Sequence, residues 1–212
     1  MVKLNAPLLL ALIGLLPAAA SGNYTADPDS KPARPVIEDE IYDVHVLNAS
    51  DGMYYMTGTW IGNETEIPLW RSDDLEDWTF VGSILKAKGM LSAPALYDYE
   101  GYSVLFVTER EGTSVYRSDR IDGPYTLHSR LAENIKNVSL FIDRTTPYLV
   151  YGGGYLAELS SDLTEVVGLA RFLHPSFDLE RPSAPGWATE KAQMLRVGTD
   201  AAQIIKENGR YY

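Results

Sequence analysis

The run Asp-Val-His-Val-Leu occupies residues 43–47. A Ser-Asp-Gly turn follows it and leads to the run Tyr-Tyr-Met-Thr-Gly-Thr at residues 54–59. Together these segments form a motif that the chain repeats. Each copy has a polar first residue, a short apolar run, a turn and a strand rich in tyrosine. The four copies open at residues 43–47, 92–96, 137–141 and 200–205, and their second strands lie at 54–59, 102–107, 148–151 and 211–212. A period of about 46 residues built from strands and turns predicts the blades of a β-propeller.

The physical reason for such a repeat is the burial of both faces of each sheet. A four-stranded antiparallel blade cannot cover its two apolar faces alone, so neighbouring blades stack around an axis. Their innermost strands, predicted at 43–48, 92–97, 137–142 and 201–205, then line one channel. The residues that open the copies are therefore predicted to meet around one cavity; they are Asp43, Ser92, Asn137 and Asp200.

The predicted fold class is all-β, because no stretch shows a sustained helical period. The propeller domain is predicted to span residues 37–212. The sequence stops at Tyr212, inside the second strand of the fourth copy. An open arc of this kind leaves an unpaired sheet edge. The chain is therefore interpreted as an incomplete propeller with about three and a half blades present.

The first 20 residues have the pattern of a secretory signal peptide. Lys3 supplies a positive start, residues 8–16 an apolar core, and residues 17–20 a small-residue cleavage region. The apolar core is short for a membrane span, although an uncleaved anchor is the alternative. Residues 21–36 are polar and proline-rich and are predicted to form a leader into the first blade. These features predict an extracellular, secreted protein.

Composition narrows the class of partner. The chain has no cysteine, so its core is predicted to be stabilised by packing without disulfides. The formal net charge of -11 argues against nucleic acid or an anionic membrane as a partner and favours a neutral ligand. Four Asn-x-Ser/Thr sequons add a weak indication of a eukaryotic secretory pathway; they are Asn23, Asn48, Asn63 and Asn137. A glycan at Asn137 would collide with neighbouring blades, so that sequon is interpreted as coincidental.

The four phrases together resemble glycoside hydrolase family 43, five-bladed propellers that act on arabinofuranosides, xylosides and related plant-wall glycans. The first copy is similar to the family's Asp-Pro opening and its Asp-Gly-x-Tyr-Tyr-x-x-x-Thr phrase, with Val44 in place of the proline. Residues 93–94 keep the Ala-Pro of Trp-Ala-Pro. Residues 137–141 are similar to Asp-Pro-Ser-Leu-Phe, and residues 208–212 to Asn-Gly-x-Tyr-Tyr. The resemblance spans about residues 40–212.

The resemblance implies an inverting hydrolysis that needs three carboxyl groups. A general-base Asp in the first blade activates water, and a general-acid Glu in the fourth protonates the leaving oxygen at a separation of about 6.5–9.5 Å. An Asp in the third blade orients the acid and tunes its pKa. Carried over by position, the base is Asp43, the third carboxyl is replaced by Asn137, and the acid position holds the shorter Asp200. Glu190 is an alternative acid outside the repeated phrase.

Four further residues are candidates for contacting substrate: His45, Ser92, Trp60 and Trp187. His45 shares a strand face with Asp43 and is equally consistent with a buried polar group at a blade interface. Trp60 and Trp187 are placed where a ring could reach the channel mouth, whereas Trp70 is interpreted as core. Asp43 itself has the alternative of a polar residue that binds backbone amides. No cofactor is predicted, and no spacing of His, Asp or Glu indicates a metal site.

Two functions of different classes follow. The first is a secreted glycosidase that acts on arabinofuranosyl- or xylosyl-containing polysaccharide by inversion, impaired by the changes at positions 137 and 200. The second is a catalytically inactive propeller that serves as a carbohydrate-binding or interaction module. The sequence indicates neither the particular glycan nor an oligomeric state.

Overall fold

The structure, a computed structural model, describes residues 36–152, 154–172 and 203–211, and every regular element in these ranges is a β-strand. The first sheet contains β1 (Ile41–Asn48), β2 (Tyr54–Trp60), β3 (Glu66–Ser72) and β4 (Thr79–Lys86). The second contains β5 (Ser92–Tyr99), β6 (Tyr102–Glu109), β7 (Gly112–Ser118) and β8 (Thr126–Arg130). The third contains β9 (Ser139–Asp143), β10 (Thr146–Tyr151), β11 (Tyr155–Leu159) and β12 (Val166–Phe172). A last pair consists of β13 (Lys206–Glu207) and β14 (Arg210–Tyr211).

Each of the three large sheets is an antiparallel meander in which spatial order follows chain order. The first strands of successive sheets contact one another, β1 with β5 and β5 with β9, so they form the inner edge of the arc. Tight turns permit this hairpin connectivity. Glu100-Gly101 and Asn208-Gly209 have positive φ at both positions, as a type I′ hairpin turn requires. Within the described part of the chain, no helix is long and apolar enough to cross a membrane.

The core is divided into two layers, one between each pair of neighbouring sheets. The first layer joins sheets one and two and contains Tyr55, Ile67, Leu69, Leu96, Leu105, Val107 and Tyr116 among its buried residues. The second joins sheets two and three and contains Val104, Phe106, Val115, Leu140, Leu149 and Leu159. Alternate residues of β6 therefore serve opposite layers, since successive side chains of a strand point to opposite faces. This two-sided burial is what the repeat predicted for stacked blades.

The fourth copy differs from the prediction. The described residues 203–205 are not in a strand, whereas an inner strand was predicted at 201–205; residues 201–202 lie outside the described ranges. The paired strands start later, at Lys206, and turn at Asn208-Gly209. They lie against the third sheet, where Lys206 forms an ion pair with Asp143 and the Tyr211 hydroxyl donates to Asp143 Oδ2 at 2.8 Å. These contacts connect the last hairpin to the end of β9.

The other predicted inner strands are observed, with shifted ends: 43–48 lies within β1, 92–97 within β5, and 137–142 becomes Ser139–Asp143. The all-β prediction is confirmed, with three four-stranded blades followed by one further hairpin. Trp70 lies in the packed interior with 2% of its surface exposed, as predicted for a core residue.

Candidate functional site

A β-bulge shapes the start of each of the first two inner strands. In β1 the register moves from Tyr42 opposite Thr59 to His45 opposite Thr57, so two residues of β1 face one residue of β2. In β5 the same shift occurs between Ser92 and Ala95. A bulge of this kind bends the strand, leaves its extra residue outside the ladder and re-aims a side chain, often beside an active site. The two residues that face one partner residue are Asp43 and Val44 in β1, and Ala93 and Pro94 in β5.

The first residue of each bulge has a left-handed backbone. The φ angles are 51° for Asp43 and 45° for Ala93, and Asn137, just before β9, has φ of 52°. For residues other than glycine this conformation costs roughly 1–2 kcal/mol, and it collects at functional sites. One backbone geometry is therefore repeated at the same end of three consecutive inner strands.

The repeated geometry corrects the alignment of the second copy. By bulge position and by φ, the residue equivalent to Asp43 and Asn137 is Ala93 and not Ser92. Ser92 corresponds to Tyr42, one residue earlier in the repeat. It is half-buried, and its hydroxyl donates to the carbonyl oxygen of Thr108 at 3.3 Å. The sequence alignment failed because a one-residue slip leaves the apolar run almost unchanged. A contact between Ser92 and substrate stays a prediction.

Asp43 lies near the start of β1 in the first blade, and its carboxylate is hydrogen-bonded to a buried threonine. Its side chain is exposed, and its Oδ2 accepts a hydrogen bond of 3.3 Å from the Thr59 hydroxyl. The same Thr59 oxygen accepts the backbone N–H of Ala93 at 2.9 Å. Thr59 has no exposed surface (0%); its bond to Ala93 is buried, and its bond to Asp43 is partly buried. The carboxylate of the first blade is thereby tied to the backbone of the second.

The next interface repeats this contact. The Thr108 hydroxyl oxygen accepts the backbone N–H of Asn137 at 3.0 Å. Thr108 stands opposite Ser92 as Thr59 stands opposite Tyr42, so the two threonines occupy equivalent places. Hydrogen bonds thus connect the openings of blades one, two and three in sequence. The structure brings Asp43, Ser92 and Asn137 to the same end of the inner strands. That they line one cavity stays a prediction.

His45 lies in the interface between the first two blades. It is 8% exposed, its Nδ1 accepts the backbone N–H of Leu96 at 3.3 Å, and its ring meets Tyr97 edge-on at 4.8 Å. Because Nδ1 accepts, the neutral ring carries its proton on Nε2. Burial lowers the pKa of His45 to about 4. These contacts fit the alternative of a polar group at a blade interface, and a substrate contact of His45 stays a prediction.

A parallel contact supports the next interface. The Tyr97 hydroxyl accepts the backbone N–H of Leu140 at 2.9 Å, and burial raises the pKa of Tyr97 to about 12. Leu96 and Leu140 are each three residues beyond the left-handed position of their blade. Side chains of the preceding blade therefore satisfy the same backbone amide in the second and third blades.

Trp60 points away from these interfaces. It follows Thr59 in β2, so its ring lies on the opposite face of the sheet. There its centroid is 6.4 Å from that of Trp70 and 5.8 Å from that of Phe80. The ring is half-buried in this aromatic group. A role of Trp60 in stacking on sugar stays a prediction.

The remaining candidates lie outside the described residues. These are Asp200, Glu190 and Trp187. Among the residues that the structure describes, no group of three or more His, Cys, Asp or Glu side chains could hold a metal ion.

A surface cavity of about 230 Å³ lies next to the same end of the second blade. Its lining includes Leu91, which precedes Ser92, and Glu109, which follows Thr108. Met90 and Arg110 add an exposed thioether and a cation to its wall.

Sequence reasoning missed Thr59, Thr108 and Ala93. A signal was present, because a threonine ends the second strand in both of the first two copies. Threonine is common in strands for its β-branched shape, so the residue type alone does not distinguish a buried hydroxyl bridge from ordinary strand preference.

The buried imidazole predicts a dependence of stability on pH. The pKa of His45 is about 4 in the folded chain and 6.5 in its ordinary state, so between these values the unfolded chain binds the proton more strongly. We expect the free energy of unfolding to fall as the pH is lowered from 6.5 towards 4, by about 3 kcal/mol in total. Urea unfolding at a series of pH values measures this slope.

Two variants isolate the effect. His45→Gln keeps an acceptor for the Leu96 amide and removes the titrating ring, so its unfolding free energy should vary less over this pH range. His128→Gln alters an imidazole at the rim, where Nε2 lies 2.6 Å from the Asp162 carbonyl, and should keep the slope of the unmodified protein. Equal slopes in all three proteins would contradict the assignment to His45.

The sequence profile described as glycosyl hydrolases family 43 matches residues 32–212. No curated protein sequence matches the chain at a significant level. The profile match includes all three complete blades and the final hairpin.

Solved structures show the same fold. An endo-arabinase from Bacteroides thetaiotaomicron shares 28% identity with a TM-score of 0.57, over 66% of this chain and 58% of that one. A thermostable family-43 glycoside hydrolase shares 23% identity with a TM-score of 0.64, over 81% and 62%. The family-43 protein BlXynB from Bacillus licheniformis shares 17% identity with a TM-score of 0.65, over 84% and 37%.

The chain spans less than two thirds of the length of each of these structures. Their agreement confirms the predicted five-bladed β-propeller class, of which the described residues form three four-stranded blades and one further hairpin. Because the family profile extends over most of the sequence, the chain belongs to glycosyl hydrolases family 43.

Proposed function

We propose that this protein hydrolyses glycosidic bonds in arabinofuranosyl- or xylosyl-containing polysaccharide, with inversion at the anomeric carbon. One observation carries the proposal: the exposed carboxylate of Asp43 at the left-handed bulge that opens the first inner strand. That is the position of the general base in the family. The bulge aims a carboxylate out of the strand ladder, where water and substrate can reach it.

In the proposed reaction Asp43 takes a proton from a water molecule while the oxygen of that water attacks the anomeric carbon. The bond from that carbon to the leaving oxygen breaks, and the general acid gives its proton to this oxygen. By position in the family the acid is Asp200, with Glu190 as the alternative. Asn137 occupies the place of the third carboxyl and supplies an amide without negative charge. The reaction is therefore proposed to be slow.

The choice of polysaccharide rests on charge and on likeness. The net charge of -11 favours a neutral glycan over an acidic polymer. The endo-arabinase from Bacteroides thetaiotaomicron is the neighbour at 28% identity, and arabinan is therefore the first substrate to test. The cavity at Leu91 and Glu109 supplies space for further sugar units beside the opening.

Release of reducing sugar from linear arabinan, compared with xylan and galactan, tests the activity. Nuclear magnetic resonance of the first product gives its anomeric configuration, and inversion is the expected result. Retention of configuration would exclude the proposed mechanism. No release above that of an Asp43→Asn variant would exclude the proposed activity.

A second candidate function has its own observation. Asn137 replaces a carboxylate in the described part of the site, which favours a propeller that binds glycan without turnover. Calorimetry with arabino-oligosaccharides separates the two candidates. Binding by both the unmodified protein and Asp43→Asn, without hydrolysis by either, would support the binding module.

Secretion is also proposed. The N-terminal pattern supports cleavage near residue 20, and two sequons lie at places open to a glycan: Asn48 is exposed at the end of β1, and Asn63 lies in the turn between β2 and β3. Asn137 is half-buried, and its backbone N–H donates to the Thr108 hydroxyl. N-terminal sequencing of protein from a eukaryotic culture medium, with mass measurement before and after deglycosylation, tests this. A retained Met1 would contradict cleavage.

A further inference from the structure

The two equivalent threonines share one contact, and Thr59 makes a second contact through its hydroxyl proton. Thr59 and Thr108 each accept the amide of the left-handed residue in the following blade, at 2.9 and 3.0 Å. A backbone N–H can only donate, so the hydroxyl proton of each threonine stays available for another acceptor. At Thr59 that acceptor is Oδ2 of Asp43. The structure thus combines a contact between blades with a contact to the carboxylate.

The arrangement fixes the direction of the Thr59 hydroxyl. The Ala93 amide occupies one lone pair of the oxygen, and the buried strand fixes the side chain, which has no exposed surface (0%). Threonine has a strongly restricted χ1, so the hydroxyl has few other orientations. The distance from the Thr59 hydroxyl to Asp43 Oδ2 is 3.3 Å, longer than the roughly 2.5–3.0 Å usual for O–H···O bonds, so the contact gives the carboxylate a preferred direction more than it adds binding energy.

We propose that Thr59 is a positioning residue for Asp43, and that it couples the orientation of this carboxylate to the packing of the second blade through the Ala93 amide. The proposal rests on the proposed function, in which Asp43 is the base. It adds a residue on β2 that has no exposed surface. The consequence is that base geometry depends on a backbone group in another blade.

The expected loss is in the rate of the chemical step. A base that moves by about 1 Å can lose on the order of 100-fold in rate. Thr59→Val keeps the shape of the side chain and removes the hydroxyl. We expect kcat to fall on the order of 10- to 100-fold with little change in KM, because substrate binding does not use this group. Thr59→Ser restores the hydroxyl and should restore most of kcat.

Thr57→Val is the matched control. Thr57 lies two residues earlier on the same face of β2, also has no exposed surface (0%), and donates its hydroxyl to the Pro68 carbonyl at 2.8 Å. That carbonyl lies on β3, within the same blade. Thr57→Val therefore removes a buried hydroxyl of the same kind without touching Asp43. Its melting temperature should fall about as far as that of Thr59→Val, while its kcat should stay near that of the unmodified protein.

The test combines steady-state kinetics on an aryl arabinofuranoside with crystal structures of the three variants. A lower kcat in Thr59→Val alone, with rescue by serine and a rotated Asp43 side chain, supports the proposal. Equal kcat in Thr59→Val and Thr57→Val, or an Asp43 carboxylate that keeps its orientation in Thr59→Val, overturns it. If the unmodified protein shows no turnover above Asp43→Asn, the proposed function fails, and the crystal structures alone still decide whether Thr59 orients Asp43.

Discussion

Replacement of Asp43 by Asn is expected to reduce the rate of glycoside hydrolysis by a factor of about 10²–10⁴. The amide matches the carboxylate in size and can still occupy the left-handed backbone of the bulge, where Asn is as well tolerated as Asp. It cannot accept a proton from the attacking water. The measurement is kcat for release of reducing sugar from arabinan, together with the affinity for an arabino-oligosaccharide.

Asp73→Asn is the control for this prediction. Asp73 is an exposed carboxylate just beyond the end of β3 at Ser72. Since β1 and β3 run in the same direction, this turn is at the other end of the sheet from Asp43. Its removal changes the net charge by the same amount, so a field effect of charge alone would appear in both variants. A comparable loss in Asp73→Asn, or no loss in Asp43→Asn, would contradict the assignment of the base.

The second large effect is expected in the opposite direction. Combining Asn137→Asp with Asp200→Glu restores the carboxyl types of the family at both altered positions. A neighbouring carboxylate favours the protonated form of the acid. The longer Glu also extends the carboxyl by about 1.5 Å, in a step where 1 Å can matter 100-fold. We expect kcat on arabinofuranosides with poor leaving groups to rise, up to the 10²- to 10⁴-fold range of a general acid.

Leaving-group dependence is the measurement that identifies the mechanism of this gain. A nitrophenolate needs little protonation as it leaves, so the double variant should gain little on that substrate. A poor leaving group such as an alkyl alcohol needs the proton, so the gain should be largest there. Asp43→Asn introduced into the double variant should abolish the gain. If neither substrate is hydrolysed faster while sugar still binds, position 200 is not the acid or the protein is a binding module.

The fold was predictable because the repeat records burial directly. The copies are spaced by the length of one blade, and each has an apolar run followed by a tyrosine-rich strand. Burying these apolar residues requires the stacking of sheets that the two core layers show. Asp43 was predictable because the first copy retains the family's phrase. The third blade followed in the same way from the run at residues 137–141, although its strand begins two residues later, at Ser139.

What the sequence did not reveal depends on register and on side-chain direction. A bulge adds one residue to a strand and leaves no mark in composition, so Ser92 was aligned where Ala93 stands. His45 and Thr59 face a neighbouring blade, and only the sheet stacking shows whether such a polar side chain meets an amide or a ligand. The contact of Lys206 with Asp143 likewise joins residues 63 positions apart in the chain and has no signal in the local sequence.

The left-handed residues at the blade openings also restrict how this site can change over time. A β-branched side chain is strongly disfavoured at positive φ, whereas Asp, Asn and glycine enter it at low cost. Exchange of Asp for Asn at position 137 or 43 should therefore change the free energy of folding little, while it changes the charge at the opening of that blade. A lineage with this backbone can lose or regain a catalytic charge by single steps without losing the propeller.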